Sequence, residues 1–259
     1  MDAARRVLIA GETWISYGVH LKGFAPYTTG FYAEGLRGFV AALEDHGHTV
    51  THVPNHLAPT TFPASIDELK SYDVVILSDI PADTLLLHPD TFERGLRTPD
   101  RLALLAAWVA EGGGLLMIGG YMSFSGFEGK ARYQHTALAE ILPVQMLGFD
   151  DRIECPSGVI PKVILGHPVL EGVDRDWPYL LGYNRVTAKP GTDTLIKVGG
   201  AGDPLLVLSG MGRGRTAAFT SDCSPHWGSP AFTEWPSYQK FWGQLIHWLG
   251  GGAQAISDP

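Results

Sequence analysis

An apolar run, Leu115-Leu116-Met117-Ile118, ends in Gly119-Gly120-Tyr121. A buried strand that stops in paired glycines turns sharply and presents the next residue above the edge of its sheet. In a nucleophile elbow that residue is Ser or Cys, held beside backbone N–H groups that receive a developing oxyanion. Here it is Tyr121, followed by Met122, Ser123 and Phe124. A phenol with an unperturbed pKa of about 10 attacks poorly at neutral pH unless a base or cation lowers it. His226, in Ser221-Asp222-Cys223-Ser224-Pro225-His226-Trp227, is the candidate base, so Tyr121 and His226 form the candidate catalytic pair. The competing and favoured reading is that Tyr121 plugs the position or hydrogen-bonds a ligand. Ser123 lies two residues past the apex and suits the cap of a following helix better than a nucleophile.

Glu12, Asp79 and Asp222 each follow an expected strand. Three carboxylates meeting in one crevice suit a polar ligand, a divalent ion or acid–base work. Singly, each is as well explained by a cap or a loop hydrogen bond. Trp14, Tyr121, Phe124 and Trp227 would give such a crevice aromatic walls. His56, just past the second expected strand, reaches toward its rim. The candidate ligand-binding set is therefore Glu12, Trp14, His56, Asp79, Gly120, Ser123, Phe124, Asp222 and Trp227. His46, His48, His52 and His56 cluster in sequence but match no zinc spacing, and neither a metal nor a cofactor is expected. Cys223 precedes His226 by three residues, and a thiolate there would be reactive. A buried, inert thiol is the commoner outcome and the preferred one.

The elements that must position these residues alternate. Val7–Ala10 is a short strand, followed by a long loop through Glu12, Trp14, His20, Lys22 and Tyr27. Tyr32, Leu36, Phe39, Val40 and Leu43 then recur at helical spacing, and Gly47 falls where a left-handed cap belongs. Thr49–Val53, Val74–Ser78 and Leu115–Ile118 are further strands, and a helix opened by Pro99-Asp100 precedes the last of them. This order predicts an α/β fold: a doubly wound, mostly parallel sheet with helices on both faces. Ligands in such sheets bind beyond the carboxyl ends of the strands. The second half is strand-rich, with Thr194–Val198, Leu205–Leu208 and Thr216–Thr220. A hairpin joins the last two through Gly210–Gly214, and a final helix spans about Tyr238 to Leu249.

The elbow, Leu-Met-Ile-Gly-Gly-Tyr-Met-Ser, resembles the Gly-X-Cys-X-Gly elbow of class I glutamine amidotransferases, with Tyr121 at the Cys position and Ser123 at the second Gly. In that family the Cys attacks the glutamine amide, and a His with a Glu two residues later follows a late strand. His226 sits near the family's His, whereas Gly228 stands in place of the Glu. The chain is most similar to glutamine amidotransferase-like proteins without an assigned reaction, and also to the trehalose-utilisation type. The motifs carrying this are Gly11-Glu12-Thr13-Trp14, Gly119-Gly120-Tyr121 with Ser123-Phe124, and Phe219-Thr220-Ser221-Asp222 with Pro225-His226-Trp227-Gly228. The resemblance implies one flavodoxin-like (Rossmann-like) domain over residues 1–259 with a degenerate catalytic elbow. It implies binding of a small polar metabolite, a sugar or an amide compound, at the sheet's carboxyl edge. The alternative is a hydrolase or amidotransferase working with Tyr121, His226, Glu12 and Asp222. A third reading is a structural homo-oligomer subunit with a vestigial pocket.

The whole chain narrows the partners. At 259 residues with a net charge of −8, it lacks the basic surface that a nucleic-acid binder needs. No stretch approaches the ~20 apolar residues of a membrane span. Two cysteines make no disulfide framework, which together with the absence of a signal-peptide core points to the cytoplasm. The aromatic segments Trp177-Pro178-Tyr179 and Phe232–Trp235 are read as exposed and compatible with homo-oligomer contacts.

Overall fold

The computed structural model describes residues 3–251. In chain order its strands are β1 (Arg6–Gly11), β2 (Thr13–Lys22), β3 (Ala25–Glu34), β4 (Thr49–Val53), β5 (Val74–Ser78), β6 (Gly114–Ile118) and β7 (Val144–Gln145). They continue with β8 (Arg152–Val159), β9 (Lys162–Val163), β10 (Leu180–Asn184), β11 (Thr187–Ala188), β12 (Asp193–Val198), β13 (Asp203–Met211) and β14 (Gly214–Phe219). Eight of them form one sheet in the order β4-β1-β5-β6-β14-β13-β12-β9. The first five run parallel. The other three continue antiparallel, and β13 and β14 meet at the two-residue turn Gly212-Arg213.

Burial explains why the parallel strands are unbroken apolar runs. Val7 and Ile9 of β1, Val74 and Ile76 of β5, and Leu116 and Ile118 of β6 enter one core. That core also holds Phe39 and Leu43 from the helix Arg37–Asp45 and Phe241, Trp242 and Leu245 from the helix Tyr238–Leu249. Leu8, Val75, Leu77, Leu115 and Met117 enter a second core with Leu102, Leu105 and Val109 of the helix Arg101–Ala110. Successive side chains thus feed opposite faces, and both faces are covered by helices, as a parallel sheet requires. The Asp100 carboxylate caps the helix Arg101–Ala110 by accepting from Leu102 N and Ala103 N.

β1 lies between β4 and β5, so the chain leaves it toward one side and returns on the other. The crevice between the carboxyl ends of β1 and β5 is therefore the switch point at which such sheets bind ligands. Glu12 and Asp79 are the residues immediately after those two strands.

The structure corrects the sequence reading in three places. Residues 13–34 form a ten-pair antiparallel hairpin, β2 and β3, in place of a long loop, and Tyr32 belongs to it; the helix begins only at Arg37. Its alternating β-branched and aromatic residues favour strands, but the hairpin feeds no core, so the usual inside–outside contrast is missing. No α-helix directly follows the elbow; residues 121–126 fold as a turn, succeeded by a single 3-10 turn at Phe127–Gly129. Finally, Trp177, Phe232 and Trp235 are buried against Phe219 and Phe241 and belong to the core, leaving Tyr179 as the exposed aromatic of those segments.

Candidate active site at the switch point

Gly11 closes β1 with φ +117, and a Cβ there would run into the carbonyl of Ser78, so the close approach of β1 to β5 demands glycine. The two residues that follow these strands are not glycines yet adopt left-handed backbones, Glu12 at φ 53 and Asp79 at φ 44. Each costs about 1–3 kcal/mol, a cost that surrounding structure must offset. Asn55 supplies part of that offset by donating from Nδ2 to the carbonyls of Thr13 (2.6 Å) and Asp79 (3.1 Å). Tyr121 has no such backbone strain. The strain expected at the elbow apex sits instead under two carboxylates.

The elbow itself is pinned by residues the sequence reading misses. Asn184, fully buried at the end of β10, accepts from Gly120 N at 3.0 Å. Its Nδ2 donates to Gly120 O at 3.2 Å and to Asp151 Oδ1 at 2.8 Å. The Asp151 carboxylate in turn accepts from Ser125 N and Gly126 N, both at 2.9 Å. One amide and one carboxylate therefore replace the helix that would normally follow an elbow. The only sequence cue is the acidic pair Asp150-Asp151 ahead of a strand, and Asn184 carries none.

Tyr121 is held away from nucleophilic use. Its hydroxyl donates to Glu154 Oε1 at 2.9 Å, and Trp227 Nε1 donates to the other oxygen of Glu154 at 3.0 Å. The Arg152 guanidinium lies against both the Tyr121 and Phe127 rings, 4.5 and 4.3 Å from their centroids. Burial, and then the negative Glu154, push the phenol above its ordinary value, so phenolate is disfavoured. His226 meets the Tyr121 ring edge-on at 4.5 Å between centroids; the hydroxyl is committed to Glu154.

In an elbow the N–H after the apex receives the oxyanion. Here that group, Met122 N, donates to Asp79 Oδ1 at 2.6 Å. Ser123, whose hydroxyl accepts from Asp79 N at 3.0 Å, holds the same carboxylate's backbone. Glu12 is buried behind it, with Ser78 Oγ donating to Oε1 at 2.6 Å and Ser224 Oγ standing 3.3 Å from Oε2. Ser224 also meets Asp222 Oδ1, through its hydroxyl at 3.0 Å and its N–H at 2.9 Å.

Crowding three carboxylates under low dielectric has a predictable result. Burial first, then repulsion from Asp222 and Asp79, raises Glu12 well above the ordinary carboxylate range. The same causes, burial then Asp222, raise Asp79 to about 6 against the opposing pull of Met122 N–H. Asp222 Oδ2 lies 3.7 Å from His226 Nδ1, and this contact raises the imidazole pKa despite its partial burial. The His226 midpoint should therefore stand above its ordinary 6.5 in an NMR titration, and Asp222→Asn should bring it down. A His226 midpoint unchanged by that substitution would contradict the pairing.

Glu12, Asp222 and Cys223 bring one donor atom each within 4.8 Å of one another. Serine hydroxyls already serve both carboxylates, so hydrogen bonding accounts for the cluster without an ion. The Cys223 thiol is buried, and burial followed by Glu12 and Asp222 raises it well above its ordinary value, away from a thiolate.

Glu12, Trp14, Asp79, Tyr121, Met122, Asp222, Ser224, Pro225 and His226 line a cleft of about 520 Å³. Of the sequence-derived candidates, Glu12, Trp14, Asp79, Tyr121, Asp222 and His226 meet there. Gly120 and Ser123 lie beneath, positioning Asp79 and the elbow. Trp227 is buried behind Tyr121, and Phe124 is in the second core. His56 lies beyond Trp14 in a neighbouring hollow of about 250 Å³, edge-on to Tyr32.

The order of strands, the elbow at the end of β6 and the His-bearing loop after β14 define an α/β protein of the glutamine amidotransferase-like fold. Residues 6–251 match the family described as putative glutamine amidotransferase, and the chain belongs to that family. Two solved structures are similar over nearly their whole length. The cytoplasmic protein STM3548 from Salmonella typhimurium is 42% identical, with a TM-score of 0.90, over 94% of this chain and 98% of that one. The cytoplasmic protein STM1381 from Salmonella typhimurium LT2 is 43% identical, also with a TM-score of 0.90, over 94% and 99%. A ThuA-like protein from Parabacteroides merdae shares the fold alone, at 11% identity and a TM-score of 0.54 over 98% of this chain and 92% of that one. No curated protein matches the chain. Among the described residues, no helix is long and apolar enough to cross a membrane.

Proposed function

We propose that this chain, cytoplasmic like its two Salmonella relatives, binds a small hydroxyl-rich metabolite of the sugar type in the switch-point cleft. Its elbow is retired from acyl transfer. The observation that carries this reading is the hydrogen bond from Met122 N to Asp79: the donor that would stabilise an oxyanion is already occupied by a carboxylate of the same chain. With Tyr121 tied to Glu154, the remaining polar groups facing the cleft are carboxylates, Ser224 and His226. Carboxylates accept from vicinal hydroxyls, while exposed Trp14 and the Tyr121 ring offer apolar faces to C–H bonds. His226, kept more cationic by Asp222 at the mouth, disfavours a positively charged ligand.

A second reading rests on a specific feature. Burial and Asp222 raise Asp79 to about 6, and the contact with Asp222 raises His226 above its ordinary value, so two groups facing the cleft are poised to exchange a proton. That is the equipment of an acid–base enzyme acting on the bound metabolite.

The test is a thermal-shift screen of aldoses, polyols and amide compounds, followed by calorimetric titration of any that bind. A hydroxyl-rich ligand should appear, and Asp222→Asn should weaken it at least ~10-fold, the usual loss for a hydrogen bond to a charged group. Silence across the hydroxyl-rich panel counts against the proposal. Ammonia release from glutamine that disappears in Tyr121→Phe would overturn it.

A further inference from the structure

The hairpin of β2 and β3 stands off the body of the molecule. Ten residues of extended chain per strand reach about 33 Å, nearly twice the ~18 Å radius of gyration expected for a chain of this length. Its two strands pack on each other and on little else. The register runs through ten consecutive pairs, Thr13↔Glu34 to Lys22↔Ala25, without a bulge. A two-stranded ribbon of this kind is marginal in water by itself.

Its two faces differ. Residues directly opposite across the ribbon share a face, so Ser16, His20 and Lys22 lie with Phe31 and Tyr27. That face is internally satisfied: His20 hydrogen-bonds Thr29 and stacks on Tyr27, and Lys22 lies over the Tyr27 ring. The other face carries Ile15, Tyr17, Val19, Leu21, Thr28 and Tyr32, and no charge until Glu34 at its base. Tyr17, Val19 and Leu21 are each more than 70% exposed, and Phe24 at the tip is fully so. Natural proteins blunt exposed strand edges with Lys, Pro or bulges. In this ribbon such residues stand only at the two ends, Lys22 and Pro26 beside the tip and Glu34 at the base.

We propose that the apolar face of this arm is an interface on which a second copy of the chain packs, arm against arm about a two-fold axis. Area favours this occupant. The exposed apolar side chains of that face and the tip, Ile15, Tyr17, Val19, Leu21, Tyr32 and Phe24, present on the order of 800 Å², and a stable interface buries about 800 Å² per partner. Self-association about a two-fold also covers the same face on both copies, which is the usual symmetry of soluble oligomers. A lipid surface fits less well, because the apolar face has no basic residues and the chain carries a net charge of −8.

Sedimentation equilibrium on the full chain tests this. The wild type should be a dimer or a multiple of one at micromolar concentration. Tyr17→Glu with Val19→Glu should raise the dissociation constant at least ~100-fold while leaving the thermal midpoint nearly unchanged. Ser16→Glu, which puts a charge on the opposite face, should leave assembly intact. A variant replacing residues 17–30 with a tight turn gives the same reading should the double substitution fail to fold. A monomeric wild type, assembly unaffected by either arm variant, or equal dissociation by Ser16→Glu would each overturn the proposal. Co-sedimentation of a monomeric wild type with anionic vesicles would assign the face to lipid and overturn it as well.

Discussion

Asn184→Ala should lower stability by about 3–4 kcal/mol. The substitution strips the partner from two buried groups, Gly120 N and Gly120 O, and removes one of the two hydrogen bonds on Asp151 Oδ1, which keeps Gly126 N. Each stranded donor or acceptor costs about 1–3 kcal/mol, and the lost bond to the buried carboxylate adds to that. Partial entry of water into the gap keeps the total below the simple sum. For a domain of this size the thermal midpoint should fall by roughly 6–15 °C, read by circular dichroism at neutral pH. Asn184→Asp separates the contributions. It preserves an acceptor for Gly120 N but removes the donor and sets a second carboxylate against Asp151, so it should be no better tolerated than Ala. A loss of less than about 1 kcal/mol for both would show that the elbow does not depend on Asn184.

That prediction concerns a residue invisible to the sequence reading, and the reason is physical. The core of the fold is legible because each strand of the parallel sheet is an unbroken apolar run, Val74–Ser78 being the clearest, and each crossover helix repeats at 3.6. Glu12 and Asp79 are legible as site residues for a related reason: a charged residue directly after a buried strand must lie at the sheet's carboxyl edge. Asn184 and Asp151 act through tertiary contacts made 64 and 25 or 26 positions along the chain. No local pattern encodes such a contact. The hairpin is hidden for the opposite reason. Its alternation is present from Thr13 to Lys22, but both faces carry apolar residues and neither meets the core. The elbow lies where its glycines place it, without the strain expected at its apex. Strain resides where two strand ends must place carboxylates beside each other, and again at Phe124 (φ 53) within the turn, while a Cβ at Gly119 would strike the carbonyl of Thr220.

The strained carboxylates give the second large effect, with opposite sign. Asp79→Asn should stabilise the protein near neutral pH by about 2–3 kcal/mol. The sign follows from linkage. The folded-state pKa of Asp79 is raised from 3.8 to about 6, so between those values the folded state binds more protons than the unfolded one. Stability therefore falls as pH rises through that window, by about 1.4 kcal/mol for each pH unit crossed, and stays lower above it. Asparagine retains an acceptor for Met122 N–H but carries no charge against Asp222 and Glu12 at any pH. Wild type and variant should then unfold at nearly the same temperature at pH 4, and separate progressively up to about pH 7. At pH 7.5 the variant should melt roughly 4–12 °C higher. A gain that is equal at pH 4 and pH 7.5 would mean that the cause is packing and not charge. Under the proposed function the same substitution should weaken ligand binding, because the repulsion it relieves is what keeps an unneutralised carboxylate facing the cleft. Stability gained together with binding lost would mark Asp79 as a residue retained for its ligand at the expense of the fold.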